Sequence, residues 1–558
     1  MEGKGGKRRI AIACQGGGSH TAFTAGALRE ILKEVRDDRR YEIVALSGTS
    51  GGAVCAFLAW YALLEDNEQA AIRALRSFWR EDNAAHLRVG DLDSVADVLA
   101  NNLLSASNLA RRYGEAAFGM GFNPELNPYR YHAVFNYWRN RLKEAIEKNV
   151  KEIDPQAKDI DQSIARRVEG AGQTPRLFVG AVNTLTGDFR VFKSHRKKEG
   201  ERLAFNDDAE DRVGVEAVLA SAAIPTVFEA THTGEAVYWD PSRPRNRRAY
   251  VGEGVYWDGL YSQNPPVRDV TEADPHEIWV IQINPEEIRE EPKETDEIED
   301  RRNELSGNTS LNQELYFVRK INELVKQLGE WRHDHGKILR KVLRLPRPYQ
   351  KGQKKYATIK VRRIELSMPL DVSSKLDRSP SHIEGLMKHG ARQAKHFLAV
   401  IPSQIAFEAA WDKALCEKEE TGEENVDAVL DFFVEEPVIE LIVPPADLSN
   451  AVPSPPAERW ETNNPGTVRE VLKWCLRNNI TLEQSRDYRG RNDPPNQRVF
   501  ACWVLATGDH LRGPIKGQVE VVAREGKVKR FTFYPLSSRV ARELMRQMKE
   551  LDGSSGAR

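Results

Sequence analysis

Apolar residues come in short unbroken runs early in the chain, and each run is followed by apolar positions at helical spacing. Ile10 to Cys14 (IAIAC) is one such run, the mark of a strand buried on both faces. From Thr21 to Glu34, Ala22, Ala25, Leu28 and Ile31 fall on one face of a helix. The same order then repeats. YEIVAL (41–46) reads as a second buried strand, SGTSGG follows, and Ala53 to Leu64 reads as an apolar helix. Strand, glycine turn and helix, twice in succession, predict a parallel α/β sheet.

Further along, the pattern changes character. Residues 65–170 carry helical patterns such as SVADVLANNLL and RNRLKEAIEKNVKEI without convincing strands, and read as a helical insertion or cap. RLFVGAVNTLTGDFRVF (176–192) returns to strands, with Thr186-Gly187 marking a hairpin turn. VEAVLASAAIP (215–225) predicts a helix stopped by Pro225, and HEIWVIQINP (276–285) another buried strand. The charge run at 286–304 reads as a solvated loop and helix face. An amphipathic helix is predicted over about 311–329, a last sheet strand at 361–368 and a helix over roughly 381–399. A Pro-, Ser- and Asn-rich stretch around 446–465 predicts a linker. Beyond it, TVREVLKWCLRNN reads as a helix, and RVFACWVLAT, GQVEVVAR and KVKRFTFYPL alternate like antiparallel strands of a small α+β module at 466–550.

Composition narrows the picture. At 558 residues the chain exceeds one ordinary core, so two or three domains are expected. Its 82 basic and 83 acidic residues nearly balance, which argues against nucleic acid as a partner. Five cysteines without CxxC spacing suit a reduced cytoplasmic protein better than a disulfide-built one. The apolar run behind the basic N-terminus is too short for a signal sequence, and no stretch reaches transmembrane length. Contact with a membrane would then be peripheral.

Candidate chemistry sits in the two glycine turns. Gly48-Thr49-Ser50-Gly51-Gly52 matches G-x-S-x-G between a strand and a helix, the context in which a serine is raised on a sharp elbow. Bulk at Gly48 or Gly52 would block the approach of helix to strand. The competing reading is a glycine-rich connection with an incidental serine. The earlier turn, Gly16-Gly17-Gly18, lacks the lysine of a phosphate loop and has Thr21 where a dinucleotide fingerprint needs glycine. The use left for it is a nest of backbone N–H groups facing an oxyanion.

A base for Ser50 must come from elsewhere. None of the histidines after residue 258 (His276, His333, His335, His382, His389, His396, His510) occupies a recognisable catalytic loop. VYWDGLYSQNPP (255–266) instead ends an aromatic strand on Asp258-Gly259, where a carboxylate can act directly on the serine. VYWD also occurs at 237–240, but Asp240 has no glycine after it, so Asp258 is preferred.

QGGGSHTAFTAG (15–26), GTSGGAV (48–54), ASAAIPTVFEA (220–230) and DGLYSQNPP (258–266) together resemble the patatin-like phospholipases. EIWVIQINP, DRRNELSGNTSLNQEL (300–315) and SKLDRSP with LMKHGARQAKHFL (374–398) extend the resemblance to a bacterial branch with a longer C-terminal part. The resemblance implies a three-layer α/β/α sandwich with a mostly parallel sheet over about 8–400. It leaves an extension at 401–445, the linker at 446–465 and the small C-terminal domain outside. It also implies a Ser-Asp dyad: Ser50 as nucleophile, Asp258 as base, and Gly16, Gly17 and Gly18 as the oxyanion loop. Ser19-His20-Thr21 departs from the family pattern, which continues with smaller or basic residues.

The resulting expectation is a serine acylhydrolase that cleaves lipid carboxylic esters, with no cofactor and no metal, since no ligand cluster occurs in the sequence. The alternatives are an esterase on other esters, such as a storage polyester, and a catalytically weak lipid-binding or scaffold protein. The C-terminal domain would serve binding or homo-oligomerisation.

Overall fold

A computed structural model describes residues 7–38, 40–86, 132–171, 175–195, 213–225, 228–239, 249–286, 291–293, 295–342, 358–368, 372–421, 424–443, 458–477, 481–488, 497–506, 515–524 and 527–535, with isolated positions between them. Most of 118–138, the aromatic part of the expected cap, and Asp240 lie outside the described residues. Two compact units are distinguished, one of residues 1–359 and 364–395, the other of 360–363 and 396–558.

The first unit opens with β1 (Arg8–Cys14), α1 (Ala22–Asp37), β2 (Tyr41–Gly48), α2 (Gly51–Leu63) and α3 (Glu68–Ser77). It continues with α4 (His132–Ile153), α5 (Ile160–Ala171), β3 (Arg176–Asn183), β4 (Phe189–Lys193), α6 (Val215–Ser221), β5 (Thr231–Trp239) and β6 (Ala249–Asp258). β7 (Glu277–Gln282) and α7 (Thr295–Val342) follow. The strands order as β7-β1-β2-β3-β6-β5, with β4 paired to β3. β7, β1, β2 and β3 are parallel, while β6, β5 and β4 add antiparallel pairs on one side. This is a mixed α/β fold with a mostly parallel centre to its sheet.

Burial explains the pattern. Residues 10–14 are wholly inaccessible, as a strand covered on both faces requires. α2 is buried on every side from Gly52 to Leu63, which is why its sequence shows no polar face. α1 hides Ala22, Ala25, Leu28, Ile31 and Leu32 and turns Arg36 and Asp37 outward. At the β3–β4 hairpin, Asn183 Oδ1 accepts the N–H groups of Leu185 and Thr186, and Gly187 takes a positive φ of 77°.

Register places the chemistry. Cys14 aligns with Gly48, so the turns after β1 and β2 emerge side by side. On β3, Val179 partners Gly48 and Ala181 partners Asp258. Asp258 therefore stands at the level of the residue two places past Gly48, which is Ser50.

Among residues 360–363 and 396–558, β8 (Lys360–Glu365) contributes Val361 to Arg363 to a parallel pairing, and α8 (Pro380–Thr421) contributes its second half. β9 (Phe433–Val443), β10 (Glu458–Thr462), α9 (Pro465–Arg477), β11 (Thr481–Tyr488), β12 (Gln497–Ala506), β13 (Ile515–Arg524) and β14 (Lys527–Pro535) complete it. Its strand order is β10-β9-β14-β13-β12-β11, antiparallel except where β14 meets β9. Phe407, Trp411, Phe432 and Phe433 form an aromatic cluster. Arg362 is held bidentately by Glu408 at 3.0 and 2.9 Å.

Two helices run further than their apolar spacing predicts. α7 starts inside the charge run, where Arg301 bonds to Glu304 at 3.1 Å and to the carbonyls of Pro285 and Glu286. α8 passes through Pro402 without ending, because buried Ile401, Phe407 and Trp411 hold the helix on both sides of the lost donor. No helix among the described residues is long and apolar enough to cross a membrane.

Candidate active site

Ser50 is the residue between β2 and α2, and its backbone is strained. Its φ of 56° and ψ of −133° lie in a region that favours glycine. The turn closes only because its neighbours have no side chain. A Cβ on Gly48 would lie 2.6 Å from Ala53 N, and one on Gly52 would lie 2.8 Å from the Gln15 carbonyl oxygen. The elbow is also tied from outside. Ser50 N–H donates to Ser221 Oγ at 3.0 Å, and that hydroxyl donates to the Gly180 carbonyl at 2.6 Å. Thr49 Oγ1 donates to the Gln263 carbonyl at 2.6 Å.

Asp258 ends β6 almost completely buried. Its N–H donates to the Ala223 carbonyl at 2.9 Å, and Oδ1 accepts Leu260 N–H at 2.8 Å. Burial pushes its pKa up to about 7, while the Ser50 hydroxyl and the Leu260 N–H pull it back down. Ser50 is the side chain close enough to act on this carboxyl, yet Oδ2 receives no full hydrogen bond from any described group. That oxygen is left open to take a proton, and catalytic hydrogen bonds of this kind tighten when substrate arrives.

The first glycine turn is built differently. Gly16 packs on the serine elbow so closely that a Cβ there would stand 2.7 Å from Ser50 Cβ. Its N–H donates to Asn264 Oδ1 at 2.7 Å. Gly17 lies against Ile283, and Gly18 has φ 58° with no room for a side chain beside the Lys375 carbonyl. The N–H groups of Gly17 and Gly18 donate to no other described group. Backbone N–H groups in a glycine turn next to a serine elbow are the kind of donor that can stabilise a tetrahedral oxyanion.

Ser19, His20 and Thr21 are buried in a short 3-10 turn. His20 Nε2 is 2.6 Å from Ser374 Oγ, and burial together with Lys375 and His382 lowers its pKa to about 3. A ring that is neutral at pH 7 supplies no charge to a phosphate and instead holds the loop. The Thr21 hydroxyl donates back to the Gly18 carbonyl.

The structure thus gathers Ser50, Asp258, Gly16, Gly17, Gly18, Gly48 and Gly52 at one place. Ser221 and Asn264 also belong there. Both lie in segments quoted for the resemblance, but their partners are 171 and 248 residues away, so no local spacing marks their roles. Among the described residues no group of three or more His, Cys, Asp or Glu side chains is arranged to hold a metal. A recess of about 400 Å³ on α4, lined by the charged side chains of Glu144, Glu147, Lys148, Lys151 and Glu152, contains none of the site residues.

Residues 12–271 match the family model described as patatin-like phospholipase. No curated protein matches the chain. Among solved structures, VipD from Legionella pneumophila aligns at 10% identity over 76% of this chain and 80% of that one, with a TM-score of 0.25. A de novo designed protein with a curved β-sheet aligns at 13% identity over 25% of this chain and 97% of its own, with a TM-score of 0.14.

Proposed function

We propose, for a chain whose residues 12–271 match the patatin-like phospholipase model, that this region is a serine acylhydrolase acting on lipid carboxylic esters. The family match speaks for lipid acyl hydrolysis in general. The observation that carries the specific reading is the strained Ser50 set against a buried carboxyl of pKa about 7, with the glycine turn at Gly16 packed on the same elbow.

The reaction follows from those groups. Ser50 Oγ attacks the ester carbonyl carbon while Asp258 takes the hydroxyl proton. The carbonyl π electrons move to oxygen, and the N–H groups of Gly17 and Gly18 bind the oxyanion. Collapse breaks the bond to the alcohol, which leaves with the proton from Asp258, and Ser50 carries the acyl group. Water then loses a proton to Asp258, attacks the acyl carbon, and releases the carboxylic acid as Ser50 regains its proton.

A fluorophosphonate probe tests this directly. Wild type is expected to be labelled at Ser50 and to release acid from a short acyl ester. Ser50→Ala should not be labelled and should lose at least about 10⁴-fold in kcat. A wild type that neither labels nor turns over any acyl ester would instead favour a lipid-binding or scaffold role. Activity on a polyester without activity on phospholipids would redirect the substrate class.

A further inference from the structure

α7 begins beyond residue 271, where the family match ends, yet it reaches both loops of the candidate site. Gly307, Ser310 and Glu314 recur at helical spacing, with Asn308 beside them, so one polar stripe faces inward. Gly307 permits the approach. A Cβ there would lie 2.9 Å from Asn284 Nδ2 and 3.0 Å from Asn264 Nδ2.

On the oxyanion side, buried Asn308 accepts through Oδ1 from Gln15 Nε2 at 3.2 Å and Gln282 Nε2 at 3.4 Å. Its Nδ2 donates to the Pro285 carbonyl at 2.8 Å. Gln15, wholly buried, accepts through Oε1 from the N–H groups of Ile283 (2.8 Å) and Asn284 (2.9 Å). Asn308 therefore fixes the residue before Gly16 and the segment against which Gly17 rests. On the base side, Ser310 Oγ donates to the Ser262 carbonyl at 2.6 Å and accepts Asn264 N–H at 3.2 Å. Glu314 accepts from Gln263 Nε2 at 3.0 Å and Arg268 N–H at 2.7 Å. Three consecutive residues after the base, 262 to 264, are held by one helix, and Asn264 in turn holds Gly16.

We propose that Asn308 and Ser310 are positioning residues that set the oxyanion loop and the base loop to a common geometry. The proposal rests on the acylhydrolase reading. Oxyanion donors work only when fixed at hydrogen-bond distance from where charge develops, and loops do not hold that position unaided. Amide and hydroxyl side chains inserted from a helix supply the missing rigidity.

The test uses full-length protein, a short p-nitrophenyl ester, and fluorophosphonate titration to count active sites. Per labelled site, Asn308→Ala is expected to lower kcat about 30-fold, with KM changed less than about twofold. The acid limb of its pH profile should stay where wild type has it, because Asp258 is untouched. Ser310→Ala should lower kcat about tenfold and Ser310→Thr, which keeps the hydroxyl, should restore most of it. Thr309→Ala, on the exposed side of the helix, is the control. Wild-type kcat per labelled site in both alanine variants overturns the proposal, even if their melting temperatures fall, since the residues would then be structural only. A wild type that neither labels nor turns over defeats the acylhydrolase reading first and the proposal with it.

Discussion

After β1 the residue with the left-handed backbone is Gly18, and after β2 it is Ser50. Both turns leave adjacent parallel strands, both pack glycines against neighbouring carbonyls, and both lead into a helix. They differ in what they present. The first keeps its side chains out of the way and offers backbone N–H groups. The second accepts strain at a residue with a side chain and offers a hydroxyl. On the proposed acylhydrolase reading, a single type of strand–glycine–helix turn serves two complementary tasks, and which task falls to which turn depends on where the non-glycine residue stands.

Filling the first turn is the strongest way to break the backbone half of that contrast. Gly16→Ala would drive a methyl into Ser50 Cβ and the Thr49 carbonyl, and is expected to cost about 10²–10³ in kcat. Steady-state kinetics with active-site titration measure it; an unchanged kcat would remove the loop from the reaction.

The next effect separates the hydroxyl from its base. Asp258 must be ionised to accept a proton, so kcat/KM should fall tenfold per pH unit below about pH 7. Stability moves the other way. The unfolded carboxyl ionises near pH 4, whereas the folded one keeps its proton to about pH 7. Folding therefore loses up to about 4 kcal/mol between those values and stays at the lower level above pH 7. Asp258→Asn should abolish the acid limb together with activity, and should be more stable than wild type at pH 8 but not at pH 4. Denaturant melts at the two pH values check the sign.

Smaller again is the support under the elbow. Ser221→Ala leaves the Ser50 N–H without its acceptor and is expected to cost about 1–2 kcal/mol in stability and roughly tenfold in kcat. The smallest effect has the opposite sign. Ser50→Gly relieves about 1–3 kcal/mol of backbone strain against about 1 kcal/mol of added unfolded-chain freedom. The dead variant should melt roughly 2 °C higher than wild type, whereas Ser50→Ala, which keeps the strain, should not. Calorimetry on the three proteins decides whether the two turns really differ in strain.

The candidate residues were legible where chemistry and chain continuity coincide. Ser50, Gly16 to Gly18 and Asp258 each sit on one strand and its turn, and a run of six to twelve residues carries the whole signal. The central strands were legible for the same reason, since burial on both faces leaves an unbroken apolar run. The partners of the site were not. Ser221, Asn264 and Asn308 reach the two turns through isolated hydrogen bonds to residues 171, 248 and 293 positions away, and such bonds write no period into a sequence. Helix ends were obscured by charge and by Pro402, because tertiary packing extends α7 and α8 where local spacing would stop them. β9 to β11 lie in polar or mixed stretches without clean alternation.

The inward stripe of α7 also bears on how such a domain can be inherited. If Asn308, Ser310 and Glu314 hold the loops that carry the nucleophile's partners, a gene fragment ending with the family match would pass on the reactive residues without their brace. The smallest unit that recombination can move intact then runs past Glu314, and a fusion joint placed between β7 and α7 would transmit the motifs but not the trade.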